Sequence, residues 1–226
     1  MIRLFIGYDE REAIGSHVFV TSVLRRASMP VQISYLHLPT LTGYIERHED
    51  GSNAFIYSRF LIPWLCAYGG WAIFADGADM LCLADIADLW ALREMGKAVQ
   101  VVKHDYVTRH RRKYVGTAME SANQHYDRKN WSSLMIMDCS SFLWRNINPA
   151  SVSRMTGAEL HRFSWIPDDR IGALPPEWNH IVMEQEPNPR AKIVHYTLGI
   201  PGFQAYRDCE YAGEWRDALS ASTAGI

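Results

Sequence analysis

Asp76-Gly77-Ala78-Asp79 sets two carboxylates between apolar runs, Gly69 to Ala75 before them and Met80 to Leu83 after. At the end of a buried strand such a pair is costly to desolvate unless something neutralises it. A divalent cation does so, because hard oxygen ligands suit Mg2+ or Mn2+. Far downstream, Ile193-Val194-His195-Tyr196-Thr197 carries a lone imidazole after a second short apolar run. Two aspartates and a histidine favour Mn2+ over Ca2+, since imidazole suits transition metals and Ca2+ takes oxygen. Each half also has a plainer counterpart. An Asp pair at a strand end is turn and helix-cap chemistry, and a histidine in an apolar strand is often a hydrogen-bonded core residue.

The elements that must position these groups alternate along the chain. Arg3 to Gly7 reads as a short strand, followed by a helical pattern with Ile14, Val18, Val20, Val23 and Leu24 roughly on one face. Val31 to Leu38 alternates as a second strand and ends at Pro39. Ser58 to Tyr68 looks helical, with Pro63 kinking it or sitting in its first turn. Trp71 to Ala75 is a strand ending at the aspartates, Ala84 to Leu92 a short helix, and Ala98 to Lys103, Ser133 to Met137 and Lys192 to Tyr196 are further strands. Pro149 to Leu160 and Tyr211 to Leu219 read as helices, while residues 104–130 and 164–190 read as irregular. This alternation predicts an α/β domain with a largely parallel central sheet flanked by helices. Ligands of such sheets bind beyond the carboxyl ends of the strands. Asp9 after the first strand and Asp76 and Asp79 after the third mark that edge. No G-x-G-x-x-G and no Walker A segment is present, so a bound phosphate would need a metal and basic side chains.

A chain of 226 residues, 48% hydrophobic and with a formal net charge of -2, fits one globular domain over residues 1–226 and argues against a general nucleic-acid binder. Arg109-His110-Arg111-Arg112-Lys113 is a local basic run, either a solvated loop or a clamp for an anionic substrate. The four cysteines lie far apart and show no zinc spacing, which suits a reducing compartment. With no signal-peptide pattern before Met1-Ile2-Arg3-Leu4 and no bilayer-length apolar run, a cytoplasmic location is expected. Peripheral membrane contact through exposed aromatics stays open.

Four segments, in this order, carry a resemblance: Phe5-Ile6-Gly7-Tyr8-Asp9, Tyr57-Ser58-Arg59-Phe60-Leu61-Ile62-Pro63, Phe74-Ala75-Asp76-Gly77-Ala78-Asp79-Met80-Leu81, and Val194-His195-Tyr196-Thr197-Leu198-Gly199. The chain resembles the GT-A-fold glycosyltransferases of the family-8 type, the glycogenin-like and lipopolysaccharide-galactosyltransferase-like group. Trp131 to Met135 and Pro167-Asp168-Asp169-Arg170-Ile171-Gly172 resemble two later segments of that family more loosely. The family pattern is Asp-x-Asp, whereas here two residues separate the aspartates. Gly77 could absorb the extra residue as a bulge, so that both carboxylates converge. Alternatively Asp79 alone ligates metal and Asp76 holds a ribose or a metal-bound water.

The resemblance implies transfer of a hexose from a nucleotide-diphosphate sugar, UDP-linked by expectation, to a saccharide or other acceptor, with retention at the anomeric carbon. It implies Mn2+ or Mg2+ held by Asp76, Asp79 and His195, and donor contacts from Tyr8, Asp9 and Arg59, although Asp9 also suits an N-cap for the following helix and Arg59 a surface helix position. Lys103, at the end of a strand, is a further phosphate candidate or an ordinary strand-end lysine. Asp168 and Asp169 are the acidic groups it assigns beside the sugar, although Pro-Asp-Asp is also good turn chemistry. Trp165, Trp178 and Tyr206 could stack on an acceptor sugar or simply pack. Two other functions compete. A sugar-phosphate nucleotidyltransferase would open with a Gly-rich phosphate loop, which Gly7-Tyr8-Asp9-Glu10-Arg11 lacks. A catalytically inactive nucleotide-sugar binding module is kept alive by the shifted aspartate spacing.

Overall fold

The computed structural model describes residues 1–223. Among these residues eleven strands run in chain order: β1 (Ile2–Tyr8), β2 (Val31–His37), β3 (Trp71–Ala75), β4 (Met80–Cys82), β5 (Val99–Val101), β6 (Arg112–Lys113), β7 (Ser121–Ala122), β8 (Leu134–Asp138), β9 (Ile171–Ala173), β10 (His180–Ile181) and β11 (Ile193–His195). The α-helices are α1 (Ala13–Leu24), α2 (Ile62–Leu65), α3 (Ile86–Ala91), α4 (Pro149–Val152), α5 (Gly157–His161) and α6 (Ala212–Thr223).

The central sheet has the order β2-β1-β3-β8-β5-β9. β1 pairs in parallel with β2 and β3, and β5 in parallel with β9, while β8 runs antiparallel to β3 and β5. The expected mostly parallel α/β sheet is therefore the observed one. Its central strands β3 and β8 are buried except at Trp71 and Asp138, as near-continuous apolar runs require. One core face gathers Phe60, Phe74, Met135, Met137 and Trp144, and the other Ile6, Phe19, Ile73, Ile136 and Trp178.

Local chemistry accounts for most boundaries. Asp85 caps α3 by accepting from Ala87 N, and Thr156 with Glu159 forms a reciprocal cap on α5. Pro63 sits near the start of α2, where its missing N–H costs nothing, and a one-turn 3-10 helix (Ser58–Leu61) precedes it. The expected helix over Pro149 to Leu160 is two pieces, α4 and α5, because the second cap interrupts it.

A second sheet, β10-β11-β4, delivers the histidine to the aspartates. β11 lies antiparallel to β4, with His195 opposite Met80, the neighbour of Asp79. Tyr196 N donates to the carbonyl of Asp79 at 2.8 Å and extends that pairing. The hairpin β6-β7 arises within the stretch read as irregular, and β9 and β10 within residues 164–190. They escape periodicity because none exceeds three residues.

Candidate functional site

The site begins with a tight turn. Gly77 has φ +70°, and Ala78 N donates to Asp76 O at 2.7 Å, so the chain reverses over three residues. The turn is pressed from behind by α1. A Cβ built on Gly15 would lie 1.7 Å from the Ala78 carbonyl oxygen, so only glycine lets the helix come this close. The two-residue spacing is thereby absorbed, and ligand atoms of Asp76, Asp79 and His195 all lie within 4.8 Å of one another. His195 Nε2 is 3.2 Å from Asp79 Oδ2 and 3.8 Å from Asp76 Oδ2. All three residues are buried.

The donor set fits a divalent transition cation: two carboxylates and one imidazole converge, and Asp79 Oδ1 is buried with no hydrogen-bond partner among the described residues. Asp76 is partly neutralised already. Arg59 Nη1 lies 2.5 Å from Asp76 Oδ1 and donates to the Ser132 carbonyl at 3.0 Å, while its guanidinium rests 4.9 Å from the Phe74 ring centre and 5.3 Å from that of Phe55. Burial nonetheless pushes the Asp76 carboxyl above the usual range: Arg59 opposes the shift and Asp79 adds to it.

These groups line a cavity of ≈ 510 Å³ at the carboxyl edge of the sheet. Its other walls include the 49–53 loop, Lys113, Lys129, Ser132 and His161. Lys113 is a residue whose individual role sequence reading missed. The basic run splits: Arg109 and Arg111 are exposed, Arg112 pairs with Glu120, and Lys113 turns inward from β6. Burial lowers its pKa, while Asp79, Glu12 and Asp76 pull the other way. Glu12 is also buried, and burial, then Asp79 and Asp9, hold its carboxyl well above the usual range. A cation is thus set among carboxylates, where an anionic ligand with a metal would find it.

The remaining candidates are distributed differently. Asp9 is buried and fully engaged: it accepts from Arg11 N at 3.0 Å, from Arg11 Nε at 2.9 Å, from Arg11 Nη2 at 2.6 Å and from Ala54 N at 3.0 Å. Burial disfavours its charge, but these hydrogen bonds win and hold its pKa low. Asp9 is thus a cap that ties down the loop walling the cavity, rather than a free acceptor for a nucleoside. Tyr8 is half-buried, edge-on to Tyr35 at 5.5 Å and to His37 at 5.2 Å, outside the cavity lining. Lys103 is exposed beside Trp131 in a neighbouring hollow.

Asp168 and Asp169 are not brought to this cavity. Both are exposed, in a short 3-10 turn before β9. In register Ile171 is level with Val99, Met137 and Ala72, well before the end of β3 where Asp76 lies. Asp168 instead pairs with Arg128 at 2.6 Å, and the Asp169 carbonyl accepts from Lys97. The turn chemistry of Pro167-Asp168-Asp169 is what the fold uses. Trp178 and Tyr206 are buried, and Trp165 packs edge-on against Phe60 and Trp144, so these aromatics serve the core.

Two buried histidines, His161 in the cavity wall and His104 in the neighbouring hollow, are held neutral. Burial, then like charge from neighbours, pushes His104 and His161 each down to about 3. In the unfolded chain a histidine titrates near 6.5, so below about that pH the unfolded state binds protons that the native state refuses. Stability therefore falls as pH drops through 6.5 towards 3, by about 2 kcal/mol per histidine at pH 5. Denaturant midpoints should fall between about pH 7 and pH 5, and His161→Gln should make that fall shallower. An unchanged slope in that variant would remove His161 from the explanation.

Among the described residues no helix is long and apolar enough to cross a membrane. No protein-family model matches the sequence. The structure is similar to the apo bifunctional glycosyltransferase WbbM, with TM-score 0.68 and 14% identity over 97% of this chain, which spans 49% of that one. It is similar to the galactosyltransferase LgtC, solved with donor and acceptor sugar analogues, with TM-score 0.59 and 12% identity over 100% of this chain and 98% of that chain. GlyE of Streptococcus pneumoniae matches with TM-score 0.61 and 11% identity over 96% of this chain and 60% of that chain. At such identities these likenesses establish the fold, which is that of the GT-A glycosyltransferases. In sequence the chain is 40% identical over 227 residues to Protein CDI of Arabidopsis thaliana, covering 96% of this chain and 85% of the relative, and it belongs to the Protein CDI family.

Proposed function

We propose that this protein is a metal-dependent, retaining glycosyltransferase that moves a hexose from a UDP-linked donor to a saccharide or other acceptor. The convergence of Asp76, Asp79 and His195 beside Arg59 and Lys113, in a cavity at the strand ends of a GT-A fold, carries this reading. Asp79 and His195 Nε2 would hold Mn2+ (Mg2+ being the alternative), joined by the Asp76 oxygen that Arg59 leaves free. When bound, the metal supplies Lewis-acid stabilisation of the charge that develops on the departing diphosphate. Lys113 would meet the same diphosphate as a point charge, and Arg59 keeps Asp76 ionised against its burial. Asp9 fixes the 49–53 wall through Ala54, and Tyr8, half-buried at the end of β1, is the candidate for the base. The free cysteines Cys66, Cys82, Cys139 and Cys209 support a reducing, cytoplasmic setting.

Asp168 and Asp169 lie outside the cavity, which favours one second reading, an inactive nucleotide-sugar binding module. Front-face transfer needs no enzymic nucleophile, so an active transferase accommodates the same placement. Thermal unfolding with a panel of nucleotides, followed by assays of donor turnover, separates the two. UDP and Mn2+ together, at about a hundred times their dissociation constants, should stabilise the fold by roughly 2.7 kcal/mol, a shift of about 5–10 °C. UDP alone should do much less, because Asp76 and Asp79 then face phosphates of like charge, and GDP should do less than UDP. The same shift without metal, or none with any nucleotide plus Mn2+, contradicts the proposal. A shift without donor turnover establishes the binding module instead.

A further inference from the structure

Behind the candidate ligand His195 runs a chain of buried hydrogen bonds whose direction can be read from its far end. Ser133 Oγ lies 2.7 Å from the carbonyl oxygen of Asn130, which can only accept, so the single hydroxyl proton is committed there. Asn179 Nδ2, 2.9 Å from Ser133 Oγ, must therefore donate to that oxygen. This orients the amide so that Asn179 Oδ1 faces His195 Nδ1, at 3.2 Å. An amide oxygen only accepts, so Nδ1 carries the proton and a neutral His195 presents its Nε2 lone pair to the Asp76 and Asp79 carboxylates.

We infer that Asn179, locked by Ser133, is a positioning residue that selects the metal-binding tautomer of His195. The inference rests on the metal reading above. Without the chain the local field works the other way. Two carboxylates within 3.8 Å of Nε2 would draw the imidazole proton to that nitrogen, where it would donate to Asp79 and close the ligand position. An amide free to rotate would accept that arrangement by turning its NH2 to Nδ1, and the committed Ser133 proton is what forbids it. Ser133, Asn179 and His195 are 2%, 0% and 1% exposed, so each hydrogen bond of the chain is made in a buried setting where an unpaired partner is costly. Strand pairing sets the distances: Asn179 immediately precedes β10, which runs beside β11 with Ile181 opposite His195. Ser133 also accepts from Asp76 N through its own carbonyl at 2.9 Å, so one residue steadies both sides of the candidate centre. Asn179 carried no sequence signal, since it sits in Pro175-Pro176-Glu177-Trp178-Asn179 as one polar residue of a loop.

The test uses the full chain with Mn2+ alone as probe, its affinity read by electron paramagnetic resonance of free Mn2+, and the imidazole nitrogens read by nitrogen-15 NMR of the metal-free protein. Wild type should show His195 protonated on Nδ1. Asn179→Leu should move that proton to Nε2 and weaken Mn2+ binding about 10–100-fold, the usual effect of losing the partner of a ligating histidine. Asn179→Asp, which still accepts from Nδ1, should hold the Nδ1–H form and bind Mn2+ at least as well as wild type. Ser133→Ala frees the amide to turn and should lose affinity between these two. An Asn179→Leu protein with wild-type affinity and an Nδ1 proton overturns the inference. Should that variant not fold, unchanged affinity in Ser133→Ala together with a large loss in Asn179→Asp overturns it equally. Wild type that shows the Nδ1 proton yet takes up no Mn2+ leaves the hydrogen-bond chain standing and sinks the metal reading, and with it the purpose assigned to Asn179.

Discussion

Asp79→Asn is expected to lower donor turnover on the order of a hundredfold or more while the fold survives. The amide keeps the shape of the side chain but removes a full charge from the candidate centre. Preorganised electrostatic groups that act on developing negative charge carry losses of about this size. Asp79 is the more exposed test of the metal assignment because its Oδ1 has no partner among the described residues and its Oδ2 faces His195. Asp76→Asn should cost less, since Arg59 already occupies Asp76 Oδ1 and only the other oxygen faces the imidazole. Without metal, Asp79→Asn should melt no lower than wild type, because two neighbouring buried carboxylates repel and one has gone. Turnover within a few-fold of wild type in Asp79→Asn, measured in saturating Mn2+, would refute the metal assignment. Equal losses in the two variants would instead mean that Asp76 and Asp79 act as one unit.

The second large effect is on stability. Arg59→Leu removes the guanidinium of a residue only 3% exposed and leaves Asp76 buried without its partner. Breaking a buried pair from one side costs about 3–5 kcal/mol, whereas replacing both members by apolar groups is often neutral. For a chain of this size the single variant should melt roughly 6–20 °C lower, measured with chelator present. Added Mn2+ should recover part of that loss, since a bound cation takes over the neutralisation. The double variant Arg59→Leu/Asp76→Leu should regain most of the stability and remain inactive. Arg59→Lys should not restore wild-type behaviour, because an ammonium lacks the planar group that rests against the Phe55 and Phe74 rings while its Nη1 meets both Asp76 and the Ser132 carbonyl. A metal-free Arg59→Leu protein that melts with wild type would show that Asp76 is neutral in the native state and that Arg59 is no counter-ion.

Tertiary contacts decide between a ligand-facing and a purely structural role for single residues in both directions. Arg59 reads as an ordinary helix arginine in sequence, but the turn from Ser58 to Leu61 carries it inside, next to Ser132 and Asp76, across a long sequence separation. Asp9 and Asp168 went the other way. Asp9 is buried with its oxygens taken up by Arg11 and Ala54 N, and Asp168 pairs with Arg128 on the surface, outside the cavity.

Sequence alone determined the alternation of strands and helices, the strand-end position of Asp76 and Asp79, and the presence between them of a glycine able to absorb the extra residue. These are local properties: side-chain periodicity, turn chemistry and the cost of burying charge all act within a few residues. Tertiary structure alone decided that β8 runs antiparallel to β3 and β5 and β11 antiparallel to β4, that His195 stands opposite Met80, that Lys113 enters from a two-residue strand, and that Asn179 stands behind His195. It also decided that Asp168, Asp169 and Lys103 stay outside the cavity. Strand register, the route of short hairpins and the direction of a hydrogen-bond chain depend on contacts between residues far apart in sequence, and no local pattern in the chain encodes them.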